Sequence, residues 1–467
     1  MADSKKEVLG EQGIYDAKTL GTPKMLVLGL QHMFAMFGST VLVPLITGLS
    51  VSATLLFAGL GTILFHLITK KKVPAFLGSS FAFLAGYGTI AGLAVANTNG
   101  EMMTKEELLP YACFGVALAG LLYLVLALLF KLFGAGRVMK FFPPIVTGPI
   151  IIAIGLNLSY SAINSCSSNW PIALVAIIAI IICNIWGKGM VKILPILIGV
   201  IASYAVAAVT GNVDFSGVAS APWVGLPVKY SNTVFSIFSG SPRSGLLITS
   251  AITIVPIAIA TMMEHIGDIS AISSTVNRNF IKDPGLHRTL TGDGLATTIA
   301  SLFGAPANTT YGENTGVLTL TKVFDPFVIR LAAYFAILMS FCPKFSAIIE
   351  AMPSATVGGI SLVLYGMISA VGVRNIVETQ VDFTKSRNVI IAALILVLSI
   401  GINYSDAGSI AFSVGSANIS LSGLAVGSLV GIILNAILPG KDYNFNEDTG
   451  SETGADLSGI SDKEIEK

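Results

Sequence analysis

Three carboxylates lie inside apolar stretches of this 467-residue sequence: Glu264, Asp268 and Glu313. Glu264 and Asp268, within "IATMMEHIGDISA", are four residues apart, which puts both side chains on one face of a helix. A carboxylate at the centre of a membrane helix costs about 2.5 kcal/mol or more, so it persists where it has partners or a function. Because burial favours the neutral form, such a group can load and release a proton near neutral pH.

Glu313 ends a polar segment, "APANTTYGE" (305–313), and a second segment, "VPAFLGSSF" (73–81), has the same plan. Each begins with a Pro-Ala pair, continues with small or polar residues, and leads into an apolar run. Extended backbone inside a bilayer is tolerated only where protein or a cavity covers it. We therefore predict that the two segments pair as short antiparallel β strands near the midplane and continue as half-helices. The helix N-termini, near Ser80 and Gly312, then direct N–H groups into one pocket. The alternative is two ordinary helices loosened by Gly and Pro.

The composition is that of an integral membrane protein. Hydrophobic residues make up 53% of the chain and charged residues 11%, with a mean hydropathy of +0.80, whereas a soluble domain carries about 25% charge. Windows of about 20 apolar residues predict membrane helices. Eleven clear and three marginal windows (80–96, 288–304 and 313–324) are present; the clear ones are 24–47, 51–69, 108–134, 141–163, 170–187, 190–210, 244–270, 326–343, 346–371, 388–403 and 418–438.

The basic residues support this count of fourteen spans. With both termini in the cytoplasm, 23 of the 27 Lys and Arg residues fall on the inner side, and the outer side keeps Lys105, Lys229, Arg243 and Lys344. The two broken segments then lie in the third and tenth spans. An offset of seven spans gives the two halves opposite orientations. We therefore predict an all-α polytopic membrane protein with 14 transmembrane spans as a 7+7 inverted repeat and short antiparallel β segments in spans 3 and 10.

The chemistry of the predicted pocket favours a small, planar, neutral ligand. Carboxylates accept N–H groups, backbone amides at the half-helix ends donate to carbonyls, and Phe81 offers a ring face. No Lys or Arg is expected in the pocket, which disfavours anions, whereas a nucleobase fits. No metal-ligand or catalytic motif stands out, so we expect neither an enzyme nor a metal or cofactor site. The net charge of +1 gives no reason to expect a nucleic-acid partner.

Several polar residues near these segments have competing interpretations. His32 is interpreted mainly as a satisfied interior histidine that orients other side chains, and His265 as structural. Asp293, near the start of the ninth span, is interpreted as a residue that caps the N-terminus of that helix. Tyr311 lies next to the pocket, but its hydroxyl group could equally hold the broken span in place. Asp268, near the inner end of its helix, is either a proton-coupling group or a solvated one.

The sequence resembles the nucleobase–ascorbate transporter (nucleobase:cation symporter 2) family, and within it the bacterial uracil permeases. The motifs that carry this resemblance are "QHMFAMFGSTVLVP", "VPAFLGSSFAF", "EHIGD", "DPGLHR" and "NTTYGENTGVLTLTK". The stretch that begins at Glu313 matches the family pattern Glu/Gln-Asn-x-Gly, four residues, Thr-Lys/Arg. Asp268 departs from the uracil permeases that have His at this position, which leaves open which residue carries the proton. Ser39 replaces an Ala that is common close to the pocket.

The resemblance implies the roles of the site residues. It implies that Glu264 and Glu313 accept the N–H groups of a pyrimidine, and that the backbones of Gly312 and Phe81 meet its carbonyls, with Ser39 and Ser80 close to the ligand. Asp268, His32, Tyr311 and Asn314 then support the carboxylates or couple the proton. Glu313 favours a pyrimidine over a purine, because xanthine and urate transporters usually carry Gln there.

The resemblance also implies a homodimer in the plasma membrane that imports uracil with protons by alternating access, with both termini cytoplasmic. A xanthine or urate permease and an anion transporter on the same fold are the alternatives. The predicted organisation is a cytoplasmic N-terminal segment (1–23), a core domain (24–134 and 244–345), a gate domain (135–210 and 346–438), an extracellular loop (211–243) and a disordered cytoplasmic tail (439–467).

Overall fold

A computed structural model describes residues 13–95, 101–239, 242–414, 417–441 and 443. Its α-helices, in chain order, are α1 (Thr22–Thr47), α2 (Val51–Ile68), α3 (Leu84–Ala91), α4 (Lys105–Phe133), α5 (Ala135–Val138), α6 (Pro144–Ser167), α7 (Trp170–Trp186), α8 (Met190–Ile193), α9 (Pro195–Val209), α10 (Ser216–Ser220), α11 (Phe235–Phe238), α12 (Ser244–Ile254), α13 (Ala258–Val276), α14 (Leu286–Leu302), α15 (Gly312–Thr321), α16 (Pro326–Ser340), α17 (Pro343–Glu350), α18 (Ser354–Glu378), α19 (Ser386–Asn403) and α20 (Gly423–Ile437). The strands are β1 (Leu77–Ser79), β2 (Asn308–Thr310), β3 (Ile410–Val414) and β4 (Ala417–Leu421).

Each of the fourteen predicted apolar segments contains a helix. Within the described ranges, seven helical stretches are long and apolar enough to cross a membrane, and α16 with α17 would make an eighth if the bent pair is one span. Other helices are shorter: α3, for example, has 8 residues and α15 has 10. The chain is a multi-pass membrane protein, whereas the count of fourteen spans stays a prediction.

Prolines interrupt two of the predicted spans. The span predicted at 244–270 is α12 and α13 joined by a 3₁₀ turn, Val255–Ile257, because Pro256 has no N–H group and its ring clashes with the preceding turn. The span predicted at 346–371 is interrupted as well. Helix α17 ends at Glu350 and α18 begins after Pro353. The predicted boundary between core and gate, at 345/346, therefore lies inside α17, which is bent 88° from α16.

A β-hairpin precedes the last helix. Strands β3 and β4 pair antiparallel, with Ile410 opposite Leu421 and Val414 opposite Ala417. The span predicted at 418–438 therefore begins as a strand, and its helix starts only at Gly423. The alternating apolar residues Ile410, Phe412 and Val414 are typical of a strand.

The helices pack in pairs that join distant parts of the chain. Helix α4 packs along α14, α2 along α16, and α6 along α18. In the predicted repeat, each span corresponds to the span seven positions away in the other half. Spans 4 and 9, which are α4 and α14, therefore correspond to spans 11 and 2, which are α16 and α2, so the two packed pairs are equivalent. An inverted repeat requires this relation, although the repeat itself stays a prediction. The largest buried apolar cluster extends from β1 and α4 through α6 and α13 to α18.

The described part of the N-terminal segment is ordered against the rest of the protein. Ile14 forms a parallel bridge with Val323, and the Tyr15 hydroxyl donates to the Val276 carbonyl at 2.7 Å. The backbone N–H of Ala17 donates to the carboxylate of Asp325 at 2.9 Å. The predicted disorder of the tail concerns residues that, apart from 439–441 and 443, lie outside the described ranges.

Candidate functional site

The two broken segments meet, as the sequence predicts. Strands β1 and β2 pair antiparallel, with Leu77 opposite Thr310, Gly78 opposite Thr309 and Ser79 opposite Asn308. The N–H group of Ser80 extends the ladder and donates to the Ala307 carbonyl at 2.8 Å. Both strands are fully buried. The pairing satisfies backbone groups that extended chain would otherwise leave without partners at membrane depth.

Side chains from neighbouring helices complete the hydrogen bonding of the strands. The Thr62 hydroxyl of α2 accepts from the N–H of Leu77 at 2.9 Å. The Thr297 hydroxyl of α14 donates to the Asn308 carbonyl at 2.8 Å. The strand pair is therefore enclosed by protein on both sides.

The two half-helices begin at different distances from their strands. Helix α15 starts at Gly312, as predicted, two residues after β2 ends. Helix α3 starts at Leu84, which corrects the predicted N-terminus near Ser80. The reason is that Ser80 still bonds across the ladder, and the chain then makes a turn in which the N–H of Leu84 donates to the Phe81 carbonyl at 3.0 Å. The side chain of Glu313 lies outside the described part of the structure, so its predicted contacts stay predictions.

Tyr311 crosses from β2 onto β1. Its hydroxyl donates to the Ser79 carbonyl at 2.7 Å, and the tyrosine is buried. Its ring lies over Gly78, where an added Cβ atom would come within 2.6 Å of the ring Cζ atom. Gly78 is therefore required for the approach of the aromatic ring, and Tyr311 holds the broken span in place, one of its two predicted roles.

A second bridge joins α1, α15 and the start of the first broken segment. His32 Nδ1 lies 2.7 Å from Asn314 Oδ1, and Asn314 Nδ2 donates to the Pro74 carbonyl at 3.2 Å. His32 and Asn314 are both fully buried. Among the described residues, His32 Nε2 has no hydrogen-bond partner. The structure thus brings together His32 and Asn314, two of the predicted supporting residues.

Helix α13 presents its acidic face to β2. Glu264 and Asp268 are both half-buried, and Asp268 Oδ2 accepts from the Thr310 hydroxyl at 2.9 Å. The predicted proton-coupling residue therefore contacts the strand that leads to Glu313. One helical turn separates Asp268 from Glu264 on the same face.

The structure contradicts the interpretation of Asp293 as a residue that caps the start of a helix. Helix α14 begins at Leu286, two turns earlier, and Asp293 is fully buried. Its Oδ2 lies 2.9 Å from Nδ1 of His265, which is also fully buried. The neighbouring glycines explain this position: Gly292 packs against Phe65 and Gly294 against Tyr123, so the helix comes close to its neighbours there.

The contact between Asp293 and His265 was not predicted from the sequence. His265 Nδ1 also lies 3.4 Å from the Thr310 hydroxyl, which donates to Asp268. A chain of polar groups therefore leads from Asp268 through Thr310 and His265 to Asp293. The sequence signal was present, since an acidic residue between two glycines occurs within a predicted membrane span.

The remaining predicted residues surround the strand pair. Ser39 and Ser80 are fully buried. The ring of Phe81 contacts Tyr365 of α18 edge to face, with centroids 5.8 Å apart. This contact joins the predicted core and gate domains directly beside β1.

Two spaces of very different size lie between the predicted domains. A cavity of about 570 Å³ on the predicted outer side is lined by Thr47, Leu84 and Tyr87 of the core and by Asn157 and Asn403 of the gate, among others. A crevice of about 20 Å³ lies on the predicted inner side, between Gly267 of α13 and Thr147 of α6. Within the described residues, no group of three His, Cys, Asp or Glu side chains could hold a metal ion.

The sequence is similar to known permeases over most of its length. A profile described as "Permease family" matches residues 23–408. The chain is 40% identical to the uracil permease of Bacillus caldolyticus over 92% of this chain and 94% of that protein. It is also 40% identical to the uracil permease of Bacillus subtilis (strain 168), over 93% and 96% of the two chains.

The fold resembles a solved transporter structure. The transmembrane domain of the cyanobacterial bicarbonate transporter BicA superimposes with a TM-score of 0.55 at 14% sequence identity, over 91% of this chain and 99% of that chain. At this identity the likeness concerns the fold alone. The family model covers residues 23–408, and two uracil permeases are 40% identical over more than nine-tenths of the sequence. The chain therefore belongs to the permease family and is a multi-pass membrane transporter.

Proposed function

We propose that the protein is a proton-coupled symporter that imports uracil across the plasma membrane by alternating access. The observation that carries the proposal is the β1–β2 pair, with the acidic face of α13 held against it by the hydrogen bond between Thr310 and Asp268. The similarity to uracil permeases at 40% identity supports uracil as the substrate.

Uracil is a planar, neutral molecule with two N–H donors and two carbonyl acceptors. Glu264 and Glu313 accept the N–H groups, and the backbone N–H groups of Gly312 and Phe81 donate to the carbonyls. Hydrogen bonds to a charged acceptor contribute about 1.5–3 kcal/mol each, so a site built for these donors rejects analogues that lack them. The Phe81 ring packs against the pyrimidine.

Proton coupling belongs to the carboxylates on α13. A proton on the Glu264/Asp268 pair lowers the cost of their burial and favours the state that accepts uracil, and loss of the proton to the cytoplasm weakens binding. Because the two ligands are thermodynamically linked, each raises the affinity for the other by the same factor. When a proton binds at Asp268, the polar groups connected to it, Thr310, His265 and Asp293, rearrange their hydrogen bonds in response.

The unequal cavities support alternating access. The outer cavity of about 570 Å³ lies between core and gate, whereas the inner crevice holds about 20 Å³. Uracil reaches the site from the outer side in this state. Movement of the core against the gate, with Phe81 sliding past Tyr365, then opens the inner side.

The proposal is tested by uptake into proteoliposomes under an imposed pH gradient, with xanthine, urate and adenine as competitors of labelled uracil. We expect uracil uptake that requires the gradient and is abolished by Glu264→Gln and by Glu313→Gln. Glu106→Gln, which makes the same change at an exposed position in the first turn of α4, is the matched control.

The alternatives give different results. Gradient-driven uptake of labelled xanthine or urate that unlabelled uracil does not inhibit would indicate a purine permease. Anion-dependent currents together with uracil uptake that ignores an uncoupler would indicate an anion transporter. Normal gradient-driven uptake in both glutamine variants would contradict the assigned site.

A further inference from the structure

An apolar surface lies at the outer end of α16. Residues 222–226 form a turn in which Trp223, Val224 and Leu226 expose 71%, 80% and 82% of their surface. Phe341, whose carbonyl accepts from the N–H of Gly225 in this turn, is 39% exposed. We call Trp223, Val224, Leu226 and Phe341 the outer apolar patch. In water, a contiguous surface of this kind would be unusual for a protein without a partner.

The turn is held in place and does not move freely. The N–H of Lys344 donates to the Pro222 carbonyl at 3.0 Å, and the N–H of Gly225 donates to the Phe341 carbonyl at 3.0 Å. The Pro343 ring packs so closely that a Cβ atom on Gly225 would lie 2.6 Å from its Cγ atom. The exposed side chains are therefore presented by a fixed backbone at the elbow between α16 and α17.

The elbow sets the direction of the patch relative to the bilayer. Helix α17 is bent 88° from α16. If α16 runs across the membrane, α17 must lie along its surface. The exposed face of α16, formed by Tyr334, Leu338 and Phe341 at helical spacing, leads directly into the patch. The patch therefore continues the lipid-facing surface of a membrane helix.

The chemistry of the patch fits the boundary between lipid headgroups and acyl chains. The ammonium group of Lys344 lies 5.1 Å from the centroid of the Trp223 ring. Trp residues concentrate at this boundary because their rings combine an apolar body with a polar N–H group. A Lys can extend its ammonium group to the lipid phosphates while its stem covers apolar surface.

We propose that the outer apolar patch is an interfacial anchor that inserts Trp223, Val224 and Leu226 into the outer leaflet of the phospholipid bilayer. The anchor fixes the depth of α17, the element that joins the predicted core and gate domains. The proposal does not depend on uracil as the substrate. A second copy of the chain or a protein from the exterior, in place of lipid, would be a different occupant of this surface.

The test uses the fact that the chain has three tryptophans. A protein with Trp170→Phe and Trp186→Phe retains only Trp223 and is reconstituted into phosphatidylcholine vesicles that contain brominated lipids. Bromine atoms just below the headgroups should quench Trp223 more than bromine atoms near the bilayer centre, and aqueous iodide should quench it weakly. The protein that retains only Trp186, which is 69% exposed, gives the matched comparison.

Two outcomes would overturn the proposal. Strong quenching by iodide with no effect of brominated lipids would place Trp223 in water. Resistance to both quenchers, with disulfide crosslinking of Trp223→Cys between copies, would place a second chain on the patch. If the single-tryptophan proteins do not fold, Leu226→Cys labelled with a polarity-sensitive fluorophore gives the same answer. Gly217→Cys, at a site with open space around it, is then the aqueous control.

Discussion

The replacement of Gly78 by alanine tests whether the strand pair and Tyr311 form one packed unit. The new Cβ atom would lie 2.6 Å from Tyr311 Cζ and 2.8 Å from Thr40 Oγ1, closer than real Cβ contacts allow. The tyrosine ring must then move and lose its 2.7 Å hydrogen bond to the Ser79 carbonyl. Overpacking of this kind costs about 1–3 kcal/mol, and the lost hydrogen bond adds about 1 kcal/mol.

A double-mutant cycle separates this contact from a general effect on β1. In a Tyr311→Ala background the ring is absent, so Gly78→Ala should cost less by about 1–3 kcal/mol. The assay is denaturant unfolding in detergent micelles, with the thermal midpoint as a second readout. Gly88→Ala is the matched control, because a Cβ atom there meets nothing within 4 Å and alanine favours a helix. Equal costs of Gly78→Ala in both backgrounds would refute the reasoning.

Three further predictions concern groups outside the strand pair. Asp293→Asn keeps the shape but replaces the carboxyl group that lies 2.9 Å from His265 with a group that does not take up or release a proton. Gradient-driven uptake should therefore fall by at least about tenfold, as for an interaction of about 1.4 kcal/mol, while the thermal midpoint changes little. Unchanged uptake would contradict the role of the polar chain. Hydrogen bonds from Thr384 hold the pKa of Asp382 below its usual range, so the loop between α18 and α19 should keep its order at mildly acidic pH and lose it only as the pH falls through that lowered pKa. Hydrogen exchange of residues 382–388 should show that the Thr384→Ala loop loses its order at a higher pH than the parent loop does. Tyr15→Phe removes a 2.7 Å hydrogen bond to a backbone carbonyl at the end of α13 and should lower the free energy of unfolding by about 1 kcal/mol, whereas no change would indicate that water replaces the hydroxyl.

The strand pair could be predicted because two separate signals agreed. The Pro-Ala starts at Pro74 and Pro306 mark segments that cannot continue a helix, and the small residues after them permit close backbone approach. The carboxylates within apolar runs, Glu313 among them, were a second indication that a polar site lies at these segments. The contact between His32 and Asn314 was not predicted, although His32 was expected to be an interior histidine that orients other side chains, and the resemblance placed both residues among those that support the carboxylates.

Other features could not be predicted from hydropathy. Pro256 and Pro353 lie within apolar windows, and a sliding average does not register the loss of one N–H group. The burial of Asp293 depends on how closely α14 approaches its neighbours, a distance set by tertiary packing around Gly292 and Gly294. Strands β3 and β4 carry an alternating pattern, but the apolar window that begins at 418 obscured it.

The pairing of β1 with β2 has a consequence for the synthesis of the protein. Residues 77–79 leave the ribosome long before residues 308–310, because 229 positions separate Ser79 and Asn308, the paired residues that are nearest in the sequence. Until the later strand arrives, the earlier one has no permanent partner for its amides and carbonyls, so the insertion machinery or a transient water-filled space must shelter it. A nascent chain whose synthesis is arrested before residue 305 should therefore remain bound to the insertion machinery. A chain that is long enough to include the second strand should be released from it.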